Sequence, residues 1–396
     1  MKWETARISE FCKTGTGGTP SRSKLERYYE GGTVPWVKSG ELRENIITET
    51  SEHITDAALR ETNVKLVPSG ALLLALYGAT VGRLGVLGFD ATTNQAVCHI
   101  IPDPKKANTR YLFHALSNQV PHLVARGVGG AQPNISQGIV KGLAIPLPPL
   151  PEQKRIATIL DAADALRAKR RESLAELDAL LQSTFLTLFG DPVENPMGWE
   201  VAPLRSVAEL ENGDRSSNYP SGPDIMESGV LFLNTKNIYG SRLVLDNCQF
   251  ISEEKFRSLS RGKLRRKDVV ITLRGTLANC AIFDCEFDTG FINAQLLIIR
   301  PGDRVVHTYL HAFLVTERMR RHFEGLSTGV AVRQLTGKQI GQLSIPVPPL
   351  DRQRRFAAIA ESIEQQKSRQ RTHLAEIDAL FASLQHRAFN GQLTAA

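Results

Sequence analysis

The chain has 396 residues and a 42% apolar share, which suits two or three domains with folded cores of their own. A formal charge of +7 favours an anionic partner. The five cysteines, Cys12, Cys98, Cys248, Cys280 and Cys285, make no pair of pairs of the zinc-knuckle kind and suit a reducing compartment, the cytoplasm; no run nears the ~18 apolar residues of a membrane span, and Met1-Lys2-Trp3-Glu4 opens no signal segment.

Residues 1–145 read as a first body of mixed α and β structure. The apolar runs Ala71–Leu76, Val86–Phe89 and Val97–Ile101 are strand-like and bounded by Gly, Pro or Asp. The series Gly82, Gly85 and Gly88 marks turns between strands. Thr55 is an expected helix N-cap, followed by Asp56, an acid that suits a helix start. A second helix is expected over Thr109–Ser117. Residues 146–190 change character. The pair Pro148-Pro149 does not fit a helix interior, so a helix is expected to begin near Leu150. Behind it Ile156, Leu160, Ala163, Leu174, Leu177, Leu181 and Leu188 repeat at helical spacing, a heptad-like seam interrupted by Arg167 and Arg170. A continuous helix from Pro151 to Phe189 would be about 58 Å long at ~1.5 Å per residue. Pro192 and Pro196 bracket its exit.

Residues 191–345 read as a second body of the same class. Its strand-like runs are Val230–Leu233, Val269–Leu273, Ala281–Phe283 and Leu296–Ile299. Ser252 is an expected N-cap and Thr308–Phe323 an expected helix. Residues 346–396 open on Pro348-Pro349 and continue as a helix from near Leu350. Its seam runs through Phe356, Ala360, Ile363, Leu374, Ile377, Phe381 and Leu384, interrupted by Lys367 and Gln370.

The chain thus repeats itself. Ile145-Pro146-Leu147-Pro148-Pro149-Leu150 returns 200 positions later as Ile345-Pro346-Val347-Pro348-Pro349-Leu350, and Leu174-Ala175-Glu176-Leu177-Asp178-Ala179-Leu180 returns as Leu374-Ala375-Glu376-Ile377-Asp378-Ala379-Leu380. A period this long means two copies of a large module, not a solenoid of ~20–50-residue units. The expected fold is mixed α/β: two similar globular α+β domains separated by two long helices that pack as an antiparallel coiled coil, with an internal pseudo-two-fold repeat. Packing the helices on each other hides two apolar stripes, each buried leucine contributing roughly 1.5–3 kcal/mol.

The order of body, Leu-Pro-Pro-Leu-x-Glu-Gln-x-Arg-Ile helix, body and altered second helix resembles the specificity subunit of type I restriction–modification systems. The resemblance rests on Ile145–Ile156 and on Gly17-Gly18-Thr19-Pro20-Ser21, and it covers nearly the whole chain. The second copy departs from it: Asp351-Arg352 replaces Pro151-Glu152, and Glu211-Asn212-Gly213-Asp214-Arg215 stands where a Gly-Gly-Thr-Pro would be. The resemblance implies that each body is a target recognition domain for one half of a bipartite, asymmetric sequence in double-stranded DNA. It implies that the paired helices set the spacing and dock two adenine methyltransferase subunits using S-adenosylmethionine, with a translocase–endonuclease subunit able to join. No cofactor is expected on this chain. Candidate DNA contacts are Lys38, Ser39, Tyr77, Thr80, Arg83, Gln132 and Asn134 in the first body. In the second they are Arg215, Lys236, Asn237, Arg274, Thr276, Arg333 and Gln334. The basic runs Lys169-Arg170-Arg171 and Arg265-Arg266-Lys267 are further phosphate candidates.

Catalytic signatures are sparse. Neither Pro-Pro pair carries the Asn/Asp-Pro-Pro-aromatic pattern of an amino-methyltransferase, and Gly262-Lys263 and Gly337-Lys338 lack the Ser/Thr of a phosphate loop. The chain is therefore read as non-enzymatic. Three other readings stay open on the sequence: a recognition subunit whose partner fuses methylation with cleavage, a coiled-coil scaffold without DNA specificity, and a Mg²⁺ nuclease using Asp224, Glu253 and Lys255. His307 and His311 lie one helical turn apart without a spaced third metal ligand.

Overall fold

The computed structural model describes residues 3–43, 45–125, 134–327 and 333–393. Two compact units divide the chain: residues 1–171 with 372–396, and residues 172–371.

In the first unit the strands Cys12–Thr16, Val97–Pro102, Leu72–Ala75 and Leu84–Leu87 lie side by side in that order as antiparallel neighbours, and Ile46–Ile47 joins in parallel. Leu72 and Leu74 enter one core, with Tyr111, Leu112 and Leu116 of the helix Thr109–Ala125. Leu73 and Ala75 enter another, with Val37, Leu42 and Val97. Alternate side chains leave opposite faces of a strand, and here both faces are covered; that is why the central strand is apolar without interruption. Thr55 accepts the Ala58 N–H at 3.2 Å and starts the helix Asp56–Glu61, as its sequence position predicts. The body's two ends meet, since Thr5–Arg7 pairs antiparallel with Ala144–Pro146.

The second unit has Ala208–Asn212, Leu296–Pro301, Val269–Thr272 and Cys280–Ile282 side by side, all antiparallel. It is buried on both faces too: Ile271 and Ile299 join Tyr309 and Phe313 on one side, Val270 and Ile298 join Leu231 and Phe283 on the other. A second sheet, Gln249–Ile251, Val230–Leu233, Thr289–Ile292 and Lys263–Arg265, was legible only at Val230–Leu233. Ser252 caps Glu253–Ser258 through the Lys255 N–H at 3.1 Å. The single helix expected over Thr308–Phe323 is two, His307–Leu314 and Glu317–Leu326. Thr316 leaves helical geometry and accepts the Met319 N–H at 3.3 Å, so it caps a new helix instead of continuing the old one. Here also the ends meet, Val201–Pro203 pairing with Ser344–Pro346.

The two long helices, Leu150–Phe189 and Leu350–Phe389, are 40 residues each and start at the leucine behind each proline pair. One glutamine fixes each start. Gln153 is fully buried, accepts the Asn108 N–H at 2.8 Å, and donates to Lys106 O (2.9 Å) and Pro148 O (2.8 Å). Gln353 does the same with the Val306 N–H (2.8 Å), Arg304 O (3.1 Å) and Pro348 O (2.7 Å). Three bonds on one buried amide thus tie the proline carbonyl ahead of each long helix to two backbone groups of the loop that leads into Thr109–Ala125 or His307–Leu314.

Each unit contains part of both helices. In the first, Ile156, Leu160 and Ala163 share a core with Phe381 and Ala388. Arg167 Nε donates to Asp378 Oδ1 at 2.5 Å while Arg155 Nη2 reaches Leu393 O at 2.6 Å, so these segments run antiparallel. In the second, Phe356 packs edge-on against Phe185 and Phe189, and Lys367 Nζ lies 2.7 Å from Asp178 Oδ1; these segments are antiparallel as well.

Candidate nucleic-acid interface

Several loops of the first unit are tied together by backbone hydrogen bonds at one end of its main sheet. Leu76, just past Leu72–Ala75, donates to Ala96 O and accepts from the Ile135 N–H, both at 2.8 Å. The Asn94 N–H donates to Val37 O at 3.0 Å, and the Gly18 N–H to Thr93 O at 2.9 Å. The segments bearing Lys38, Tyr77 to Arg83, Asn134 and Gly17-Gly18 therefore converge on the turn Thr93–Ala96. The second unit builds the same junction. The Leu273 N–H donates to Gln295 O at 2.8 Å, the Leu335 N–H to Leu273 O at 2.9 Å, and the Asn293 N–H to Leu233 O at 2.9 Å. Arg274 bridges Gln334, and Arg215 Nη2 donates to Ala294 O at 2.9 Å.

Glycine is required at both junctions. A Cβ on Gly17 would stand 2.1 Å from Thr93 O, and one on Gly213 would stand 2.5 Å from Asn293 O. The second body has no Gly-Gly-Thr-Pro, yet Gly213 follows its first long strand as Gly17 does and makes the same close approach.

The candidates differ in availability. Arg83, Asn134, Arg215, Lys236, Arg274, Thr276 and Arg333 are exposed; Ser39, Tyr77, Thr80 and Gln334 are half-buried. Lys38 is already paired, its Nζ 2.6 Å from Glu52 Oε1; that bond and Arg22 hold the Glu52 carboxyl below its ordinary pKa against the opposing effect of burial. Asn237 is corrected: it is 3% exposed, its Nδ2 donates to Val244 O at 3.1 Å and its Oδ1 accepts the Asn234 N–H at 3.0 Å, so it braces the loop and has no free edge for a base. Gln132 lies outside the described residues. The central turns carry residues the sequence reading passed over, Asn94 and Gln95 in one unit and Asn293 and Gln295 in the other. Their one sequence signal is an asparagine with glutamine one or two places on, just before an apolar strand, in both bodies.

The other candidate groups are engaged in local pairs. Lys255 Nζ sits 3.1 Å from Asp224 Oδ2, whose carboxylate also accepts the Ser221 N–H, and Glu253 is an exposed partner of Arg257. Among the described residues no group of three or more His, Cys, Asp or Glu could hold a metal ion. His311 Nε2 lies 3.1 Å from Cys280 O, and burial lowers the pKa of both His311 and His307. In the basic runs, Arg266 is held by Asp284 and Asp288, and Arg171 lies 3.5 Å from Asp378. No helix among the described residues is long and apolar enough to cross a membrane.

The family model of the type I restriction modification DNA specificity domain matches twice, over residues 1–177 and 196–379. The specificity subunit of the type I restriction enzyme MjaVIII of Methanocaldococcus jannaschii is 23% identical, over 91% of this chain and 86% of that protein. The EcoBI specificity subunit of Escherichia coli is 25% identical, over 77% and 70%. The crystal structure of a type I S subunit from M. genitalium has the same fold, with a TM-score of 0.58 at 17% identity over 98% of this chain and 96% of that one. Two family matches, one on each body and the helix behind it, place the chain in the type I restriction–modification DNA specificity family.

Proposed function

We propose that this chain selects the DNA target of a type I restriction–modification complex by reading a bipartite, asymmetric sequence, one half with each unit. The observation that carries this reading is the repeated loop junction: the same backbone scaffold in both units presents unlike side chains, Tyr77, Arg83 and Asn134 in one and Arg215, Arg274 and Arg333 in the other. Exposed arginines suit phosphates and guanine edges, and amides suit adenine. On this reading the long helices pair as an antiparallel coiled coil that spaces the bodies and docks two adenine methyltransferase subunits, with a translocase–endonuclease subunit able to join. The methyltransferase brings S-adenosylmethionine and extrudes the target adenine; this chain positions it and performs no base chemistry.

The test is to co-express the chain with its methyltransferase and map methylated adenines across a genome. A single gapped, non-palindromic motif is expected, lost when either body is deleted. A palindromic motif would refute the asymmetric reading, and an ungapped one the bipartite reading.

A further inference from the structure

We infer that Gln95 and Gln295 each read an adenine in the major groove, one in each half of the target; the inference rests on the function proposed above. Both sit at the centre of a junction, on the turn where the other loops converge. In the first unit the turn is closed by the Val97 N–H donating to Asn94 O at 3.1 Å. It is tied outward through Asn94, Thr93 and Ala96 to the loops of Lys38, Gly18 and Leu76. In the second it is closed by the Leu296 N–H to Asn293 O at 3.1 Å and braced by Asn293 Oδ1, which accepts the Gln295 N–H at 3.0 Å. The backbone beneath each glutamine is therefore immobilised from several sides, and the glycines at 17 and 213 let the neighbouring strand end close on it.

From this rigid base each turn raises one exposed glutamine. The Gln295 amide makes no hydrogen bond to any described residue. Among the described residues the Gln95 amide bonds only to the Thr19 hydroxyl, which donates to Oε1 and leaves the NH₂ without a described partner. A glutamine amide offers an acceptor and a donor side by side, the complement of the N6–H and N7 edge of adenine. Ordering a side chain on a fixed backbone loses less freedom than ordering a loop as well, so such a residue discriminates more sharply than one on a free loop. The Arg215 guanidinium, held beside Gln295 by its bond to Ala294 O, suits a phosphate flanking the read base.

The test compares the wild-type complex with Gln95→Ala, Gln295→Ala and Gln95→Glu complexes, each co-expressed with the methyltransferase. Methylated motifs are mapped, and duplexes substituted at every motif position are compared in competition binding. Gln95→Ala should lose preference for adenine at one position of one half-site, by about 5- to 150-fold, with the other half-site unchanged. Gln295→Ala should do the same in the opposite half. Gln95→Glu, which only accepts hydrogen bonds, should move the preference at that position toward cytosine, and it decides the matter if the alanine variant fails to assemble. If the wild type shows a gapped motif and the variants keep every base preference, this inference is overturned while the proposed function stands. If the wild type shows no gapped motif, the proposed function itself fails.

Discussion

His114 lies with its Nε2 2.7 Å from Asp161 Oδ1, a pairing that by itself would raise its pKa. Burial acts the other way and is the larger effect, so His114 titrates below its ordinary value of 6.5. Burial lowers His99, His307 and His311 in the same sense, although Glu364 faces His311 and Asp284 faces His307. For a group with a lowered folded pKa, the unfolded chain takes up the proton that the folded chain refuses. Stability is then full above the unfolded pKa near 6.5 and is lost as pH falls below it, by at most about 1.4 kcal/mol per pH unit for each histidine. Asp161, lowered from 3.8, contributes only in a more acid window. The thermal midpoint should be level from pH 8 to 7 and fall by several degrees between pH 6.5 and 5, and His311→Gln should flatten that fall. A wild-type midpoint level down to pH 5 would contradict the account. At this scale the sequence revealed what is local. Thr55 and Ser252 were identifiable as caps because a cap needs only three neighbouring residues. The ion pair of Lys38 with Glu52 and the bond of Asn237 to Val244 O depend on segments that only the fold brings together.

The polar breaks in the two helical seams have a structural use. Arg167 reaches Asp378 and Asp164 in the first unit, with its guanidinium 4.3 Å from the centre of the Phe381 ring. Lys367 reaches Asp178 and Glu364 in the second. Asp178 and Asp378 are the same residue of the repeated Leu-Ala-Glu-Leu/Ile-Asp-Ala-Leu stretch, so each copy supplies the carboxylate for the other copy's cation. Lys367 is 6% exposed and loses hydration, which offsets much of its Coulomb attraction. Lys367→Met keeps the packed stem and removes the buried charge, and the carboxylates it leaves, Asp178 and Glu364, are exposed and stay hydrated, so it should change stability by less than about 1 kcal/mol. Lys367→Glu sets a third carboxylate against Asp178 and Glu364 and should lower the urea midpoint by the equivalent of at least about 2 kcal/mol, with partial recovery on adding Asp178→Lys. Equal losses for Met and Glu would mean that packing and not charge governs the site. Helix starts and the heptad-like spacing were legible because prolines and leucines mark them locally. The split at Thr316 and most of the second unit's second sheet were not, because short strands such as Gln249–Ile251 and Lys263–Arg265 gain their pairing only from distant partners.

Both bodies enter and leave the chain through the same stitches. Glu4 O accepts the Leu147 N–H at 2.8 Å and Leu143 O the Ile8 N–H at 3.0 Å; Glu200 O accepts the Val347 N–H at 2.7 Å and Leu343 O the Leu204 N–H at 2.8 Å. Tyr111 and Tyr309 each donate a hydroxyl hydrogen bond to the carbonyl of the proline that ends the closing strand, Pro146 and Pro346. A body closed on itself by adjacent strands can be exchanged without altering the helices that follow. If specificity lies in the bodies, a chain whose residues 201–346 are replaced by a second copy of residues 5–146 should still assemble with the methyltransferase. Arg110 and His114, which bind Asp161 in the native first unit, would meet a carboxylate again, because Glu361 occupies the repeat position of Asp161. Repacking against Leu181 in place of Phe381 should lower the thermal midpoint, but the methylated motif is the decisive reading. It should contain the first half-site twice and the second half-site not at all. A motif that keeps the original second half-site would place specificity in the helices or in the partner, since nothing else of the second body would remain to read it.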